Sequence, residues 1–341
     1  MNIKATIVGS LAVLAAFAGI SEPVSAKTNF LVHIFAPPQY PNNSHGWKYL
    51  KENVERDTQG RVTFEFTNGK VGPPPRGWNM VTTGVVDAAY LHTGFERKRL
   101  WLPEVSRLTG HTPSATAQSV ASWRTYKKFF EKANEFKGVK LATLYSFSGE
   151  NLWTINKPVE KFEDLKGMKL RTGAGLSANI LKAFDVAPVP STAAQIFPMV
   201  SKGVVDGMTG PAALVTVLKV DQFIKHGLRY PGALFTLAWT PILNKQKWDS
   251  ISADDQAIME KYMGEPMARS VAGEWDRRNV ASLKKMAAAG VSIKDASPAF
   301  VAAIEARTAF FTEQWLERAE KRGVDGPAAL AYFRQQLKEA Q

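Results

Sequence analysis

The sequence predicts an α/β protein of two lobes, each a mainly parallel sheet flanked by helices. Strand-like runs alternate with amphipathic helical runs from Phe30 to Met208, the order that builds βαβ units and parallel sheets. That order runs twice, and the same Gly-Val-Val-Asp joins a helix to a strand in each half, at residues 84–87 and 203–206. A chain of 341 residues is also long enough to divide its buried surface between two cores.

In chain order, residues 30–36 read as a buried first strand. Asn42, Asn43 and Ser44 are cap candidates for a helix with Trp47, Leu50 and Val54 on one face. Val62–Phe66 alternates as a second strand, a short helix covers 78–83, and 85–90 is a third strand. A loop with His92, Phe95 and Trp101 leads to a helix over 115–136 and a strand over 139–145. The pattern then restarts with strands at 153–155 and 168–172, a helix ending at Phe184 and a strand at 186–189. A helix at 193–202 and a strand at 204–208 complete the second unit. A strand within 234–243, a nearly unbroken helical region over 253–289, and helices at 298–322 and 328–340 close the chain.

Residues 1–26 read as a cleavable export signal: Lys4, an apolar run from Ala5 to Ile20, and Val24-Ser25-Ala26 as the cleavage site. No other stretch is long and apolar enough to span a bilayer, so a periplasmic protein is expected. There is no cysteine, which excludes disulfides and thiol chemistry. The formal charge is +12, with 43 Lys and Arg against 31 Asp and Glu. The basic residues are spread over helix faces, as in Lys127, Lys128, Lys132 and Lys137, so no nucleic-acid partner is expected.

The stretch with the clearest chemistry is 164–184. Its strand ends at Arg171, Gly173 and Gly175 turn the chain, and a helix follows. Ligands of open α/β sheets bind at the carboxyl ends of strands, and helix N-termini favour anions. An arginine there can take a carboxylate through two parallel hydrogen bonds; a pairing with a surface acid is the plainer alternative. Residues 173–178 also fit the dinucleotide pattern G-x-G-x-x-A, but 187–193 lack the acid that pattern needs. The five histidines have no metal-ligand spacing, and no hydrolase elbow or Walker loop occurs. Neither metal nor cofactor is expected. Trp47, Tyr90, Trp153 and Trp239 are the aromatics placed near a cleft. An exported α/β enzyme acting on a small organic acid is the alternative to a binding protein.

An ordered set of short motifs marks a resemblance. The set is Asn156-Lys157-Pro158, the run 164–171, Ala187-Pro188-Val189-Pro190, residues 203–207, and Asn244-Lys245 with Trp248. In these the mature chain resembles the periplasmic solute-binding proteins of tripartite ATP-independent periplasmic (TRAP) transporters, the DctP-like family. The resemblance implies two α/β lobes around a cleft, crossed by a long helix, closing on an organic acid that passes to an ion-gradient-driven membrane permease. The lobes would be 27–149 plus about 236–280, and 150–235 plus about 281–341, in a monomer. The family arginine that clamps the carboxylate falls on Arg171. Further ligand contacts would fall near Asn151, where relatives often carry a second arginine, and at Thr209 and Gly210, where they often carry Glu-Asn. Those two departures point away from sialic acid or a C4-dicarboxylate, toward aromatic or branched monocarboxylates stacking on Trp153, Tyr90 and Trp239.

Overall fold

The computed structural model describes residues 27–36, 38–69, 71–112 and 114–340; the predicted export signal lies outside them. The first unit runs β1 (Thr28–His33), α1 (Lys48–Asp57), β2 (Val62–Phe66), α2 (Gly77–Thr82) and β3 (Ala88–His92). It continues through α3 (Ala115–Thr125), β4 (Val139–Leu141) and β5 (Tyr145–Ser146). The second runs β6 (Asn151–Thr154), β7 (Lys169–Thr172), α4 (Leu176–Ala183), β8 (Ala187–Pro190), α5 (Ala193–Ser201), β9 (Gly207–Gly210), α6 (Ala212–Val217) and β10 (His226–Arg229). Then come β11 (Ala238–Asn244), α7 (Lys245–Ser250), α8 (Ala253–Tyr262), α9 (Glu265–Ala288), β12 (Ser292–Asp295), α10 (Pro298–Glu320) and α11 (Gly326–Glu339).

These strands form two sheets. One has the order β2-β1-β3-β11-β4 with β5 also on β11; the other has the order β12-β10-β6-β9-β7-β8. In the first, β2, β1 and β3 are parallel and β11 lies antiparallel against β3. In the second, β8, β7 and β9 are parallel and β6 lies antiparallel against β9. The chain passes from the first sheet to the second between β5 and β6, and returns between β10 and β11. The two connecting segments pair with each other: Glu150 N donates to Phe235 O at 2.8 Å, and Leu234 N to Glu150 O at 3.2 Å.

The repeated Gly-Val-Val-Asp is a turn in both lobes rather than the strand predicted from it. Gly84 and Gly203 take φ of +73° and +65°, values that glycine adopts without steric cost. Val86 and Val205 are buried, whereas Val85 and Val204 are exposed. The Asp87 carboxylate accepts from Leu31 N at 2.8 Å, and the Asp206 carboxylate from Lys169 N at 2.7 Å. Each acid thus satisfies a backbone donor of the central parallel strand and fixes where the next strand begins. The strands therefore start at Ala88 and Gly207, later than alternation alone indicated.

The long helix α9 spans both lobes. Trp275 Nε1 donates to Asn42 Oδ1 at 3.1 Å and Ser270 Oγ to His45 O at 2.8 Å. One to two turns on, Asn279 Oδ1 accepts from Ala213 N at 3.2 Å, and Ser282 bonds Thr216 at 2.6 Å. Between these, Asp276 accepts from Ala115 N, Thr116 N and Ser148 Oγ, at 2.7, 2.9 and 3.0 Å. It thereby caps α3 and ties down one connecting segment.

Three local expectations are corrected. The helical region over 253–289 breaks at Gly264, whose φ is +65° and where a Cβ would lie 2.7 Å from the Trp123 ring. The helix predicted over 115–136 ends at Thr125, then loosens into a wide turn, Tyr126–Phe130, and a tight one, Glu131–Ala133. Asn42 and Asn43 are inside the first helical turn, Asn42–Trp47, and Asn42 serves Trp275 instead of capping.

Candidate functional site

A cleft opens where the carboxyl ends of the parallel strands of both sheets meet, as the topology of open α/β sheets requires. From the first lobe it is lined by Phe35 after β1, Tyr40, His92 at the end of β3, and Trp239 on β11. From the second it is lined by Arg171 on β7, Gly173 and Ala174 after it, and Ser191 and Thr192 after β8. Phe147 and Leu237, on the paired connecting segments, close its base.

Arg171 is buried, and its guanidinium is held by one neighbour. Nε donates to Ser191 Oγ at 3.0 Å and Nη2 to Ser191 O at 2.7 Å. Nη1 has no partner among the described residues. One edge of the fork is therefore anchored and the other is left buried and unpaired beside the cleft, a pair of donors that can take a carboxylate bidentately. Burial pulls the Arg171 pKa down to about 10, against the opposing pull of Glu150 and Tyr40, so the side chain stays charged at neutral pH. The turn after it is shaped by glycine: Gly175 has φ +79°, and a Cβ at Gly173 would lie 2.8 Å from Leu237. The loop is further held by Arg107, fully buried, which donates to Ala174 O at 3.1 Å and Ser177 Oγ at 2.9 Å. Arg107 in turn pairs with buried Glu104 at 2.5 Å.

The opposite wall is aromatic. Trp239 stacks on Phe147 with ring centroids 5.3 Å apart and planes 19° apart, and Phe35 lies 6.3 Å from Trp239 in a stacked pose. His92 meets Trp239 edge-on at 5.3 Å. Burial, then the positive charges of Arg107 and Arg171, holds the His92 pKa well below its ordinary value, so the ring is neutral. A fixed cation facing a wall of rings is suited to a small anion with an apolar body.

The model of the bacterial extracellular solute-binding proteins, family 7 (DctP), matches residues 33–318. The chain belongs to this family. A TRAP periplasmic solute-binding protein of Bordetella bronchiseptica, solved with bound (R)- and (S)-mandelate, superposes with a TM-score of 0.88 at 30% identity, covering 92% of this chain and 99% of that one. A TRAP solute-binding protein of Rhodoferax ferrireducens, solved with copurified benzoate, shares the fold with a TM-score of 0.83 at 22% identity, over 92% and 98% of the two chains. A relative named outer membrane transporter protein TsaT, of Comamonas testosteroni, is 28% identical over 96% of this chain and 97% of its own. This DctP-family protein is thus a solute-binding protein of the TRAP type, a class that binds small organic acids and works with a membrane permease.

Of the residues expected to meet ligand, the DctP-family cleft brings together Arg171 and Trp239. Tyr90 sits one layer behind, its ring 4.5 Å from Phe35 and 5.6 Å from Trp239. Trp153 does not stack in the cleft: it is fully buried, lies over Gly227, and donates Nε1 to Gly210 O at 2.7 Å. Trp47 is likewise core. Thr209 spends its hydroxyl on Thr172 at 3.0 Å. The backbone of Gly210 is spent on Trp153, and Leu214 beside it reaches the cleft instead. Asn151 lies outside the cleft, in a separate groove beside α9 lined by Asp276 and Asn279, with Oδ1 accepting from Tyr230 N at 3.1 Å.

Sequence reasoning passed over His92, Phe35, Tyr40, Phe147 and Ser191. All but Tyr40 and Phe147 stand at the last residue of a parallel strand or within two residues after one, so the strand-end rule applied to every strand, and not to β7 alone, would have found them. Glu150 was also missed. It is fully buried on a connecting segment, and burial pushes its carboxyl up against the pull of the Arg171 and Arg107 charges.

Proposed function

We propose that this chain is the periplasmic receptor of a TRAP transporter for an aromatic monocarboxylate, with the carboxylate on the free edge of Arg171 and the ring against Phe35 and Trp239. The observation that carries this reading is a half-satisfied, charged arginine opposite an aromatic wall. The mandelate held by the Bordetella relative supports it. The protein would be exported by residues 1–26, act as a monomer, and hand its ligand unchanged to an ion-gradient-driven permease. The lobes 27–149 plus about 236–280 and 150–235 plus about 281–341 would close by bending at the paired connecting segments.

The test is a thermal-shift screen of the exported protein against benzoate, phenylacetate, succinate and sialic acid. A ligand at about 100 times its Kd adds roughly 2.7 kcal/mol to stability, so the aromatic acids should raise the melting temperature and the other two should not. Turnover of an aromatic acid by the protein would favour the enzyme alternative and overturn the proposal. Stabilisation by succinate or sialic acid alone would overturn the ligand class.

A further inference from the structure

Two arginines and two acids are buried around the base of the cleft, and they form one ion pair. Arg107 meets Glu104 at 2.5 Å, and Glu104 also accepts from Thr93 Oγ1 at 2.6 Å. Arg171 is held by Ser191, an uncharged neighbour. Glu150 is fully buried, and neither of its carboxylate oxygens has a hydrogen-bond partner among the described residues. An ionised carboxylate in that state is held only by positive charge nearby.

Topology places Glu150 at the ligand edge. It immediately precedes β6, whose Asn151 registers with Gly210 of β9, while Arg171 of β7 registers with Met208 of the same strand. β6 runs antiparallel to β9 and β7 runs parallel to it, so the start of β6 and the end of β7 share one edge of the sheet. The backbone of Glu150 is pinned on both sides, donating to Phe235 O and accepting from Leu234 N. The charged and titratable groups around it are Arg171 of β7, Arg107 and Glu104 of the turn before α3, and His92 and Tyr40 of the first lobe. Asp276 of α9 lies beyond Ser148, with its oxygens taken by Ala115 N, Thr116 N and Ser148 Oγ. The facing segment 234–237 carries no titratable side chain. Glu150 is the first influence that opposes burial at Arg171, and burial pushes its own carboxyl up against the charges of Arg171 and Arg107.

In the free protein the two acids balance the two arginines. A ligand carboxylate on Arg171 adds one negative charge beside Glu150, where water is excluded and like charges repel strongly. A proton on Glu150 removes that surplus, and Glu150 is the acid of the group that no ion pair holds ionised.

We infer that Glu150 is a proton site coupled to the ligand site, ionised in the free protein and protonated once a carboxylate occupies Arg171, so that the receptor takes up its acid together with a proton. This inference rests on the reading that a carboxylate binds Arg171, and adds the charge that accompanies it. Glu150 touches no ligand; it is a positioning residue that acts through Arg171. By linkage, proton and ligand each raise the affinity for the other by the same factor.

Titration calorimetry with phenylacetate, in buffers of different ionisation enthalpy, counts the protons taken up. Wild-type protein should gain about half a proton or more per ligand at pH 7, with affinity rising about three- to tenfold for each unit of pH from 8 to 6. Glu150→Gln should take up none, lose the pH slope, and bind phenylacetate tighter than wild type at pH 8. An acid with a merely structural role would instead weaken binding at every pH when replaced. Uptake that persists in Glu150→Gln would move the proton to another group, such as His92, and overturn the inference. Should that variant not fold, infrared difference spectra of wild-type protein decide: phenylacetate should bring up a protonated-carboxyl band, and its absence overturns the inference. Binding without proton uptake overturns this inference alone, whereas no binding of phenylacetate removes the aromatic-acid reading and this inference with it.

Discussion

At the carboxyl ends of β1 and β3 the first sheet sets Phe35 and His92, with Trp239 beside them on β11. At the same ends of β7 and β8 the second sheet sets Arg171 and Ser191. The two sheets otherwise repeat each other: three parallel strands, an antiparallel fourth entered directly after a crossing between the sheets, and twin Gly-Val-Val-Asp turns. The scaffold is therefore duplicated while the edges are not. One lobe offers rings and the other offers charge, so a ligand with both an apolar body and an anionic group can satisfy both walls only by lying between them. That division also explains why such a ligand would draw the lobes together.

The largest effect should come from removing the charged wall. Arg171→Ala should weaken binding of aromatic acids by about two orders of magnitude or more, since charge-assisted hydrogen bonds contribute about 1.5–3 kcal/mol each. Arg171→Lys should recover only part, because an ammonium cannot reproduce the planar fork. Calorimetric titration checks both, and unchanged affinity in Arg171→Ala would erase the contrast between the walls.

Acid should lower the stability of the scaffold while leaving Arg171 charged. His111 packs on Phe333 with ring centroids 5.0 Å apart and bonds Val105 O at 3.0 Å; burial lowers its pKa from 6.5 to about 4. The unfolded chain then binds the proton more readily than the folded one. Stability is full above about pH 6.5 and falls as pH drops toward about 4, by up to about 3 kcal/mol from this group. His92 shifts in the same direction. Denaturant titrations across this range should show the fall, and His111→Leu should flatten it; a fall of equal depth in the variant would assign it elsewhere.

On the ring wall, Trp239→Leu should cost aromatic acids about two- to tenfold in affinity, as expected of one ring contact worth about 0.5–1.5 kcal/mol. Aliphatic acids should lose less. Equal losses for both would mean that Trp239 shapes the cleft without stacking on the ligand.

The smallest effects test the claim that the scaffolds are equivalent. Gly84→Ala and Gly203→Ala meet no atom within 4 Å, so each pays only for its left-handed backbone, about 1–2 kcal/mol. Denaturant unfolding should give the same cost at both turns. A clear difference would mean that the lobes are not mechanically alike.

Much of this fold was legible because its signals are local. Val62–Phe66 alternates without interruption and stands as predicted, and the glycines after Arg171 mark the strand–turn–helix that holds it. The repeated Gly-Val-Val-Asp was visible as a repeat but misread as strand, because Val-Val favours strands in isolation and the role of the aspartate lies in a hydrogen bond to a distant strand. The site was half legible. Arg171 could be placed by its strand end. Trp153 could not be told from a cleft residue, because what buries it is Gly227, more than seventy positions away. Asn151, Thr209 and Gly210 sit at plausible strand ends, yet their polar groups are consumed by Tyr230, Thr172 and Trp153, a matter of tertiary pairing that no local pattern records.

The division of labour between the walls is tested most directly by a crystal structure of the protein with bound phenylacetate. The expected density places the carboxylate on Nη1 and Nη2 of Arg171 and the ring against Phe35 and Trp239, with both lobes touching the ligand. A carboxylate paired away from Arg171, or a ligand held by one lobe alone, would contradict it.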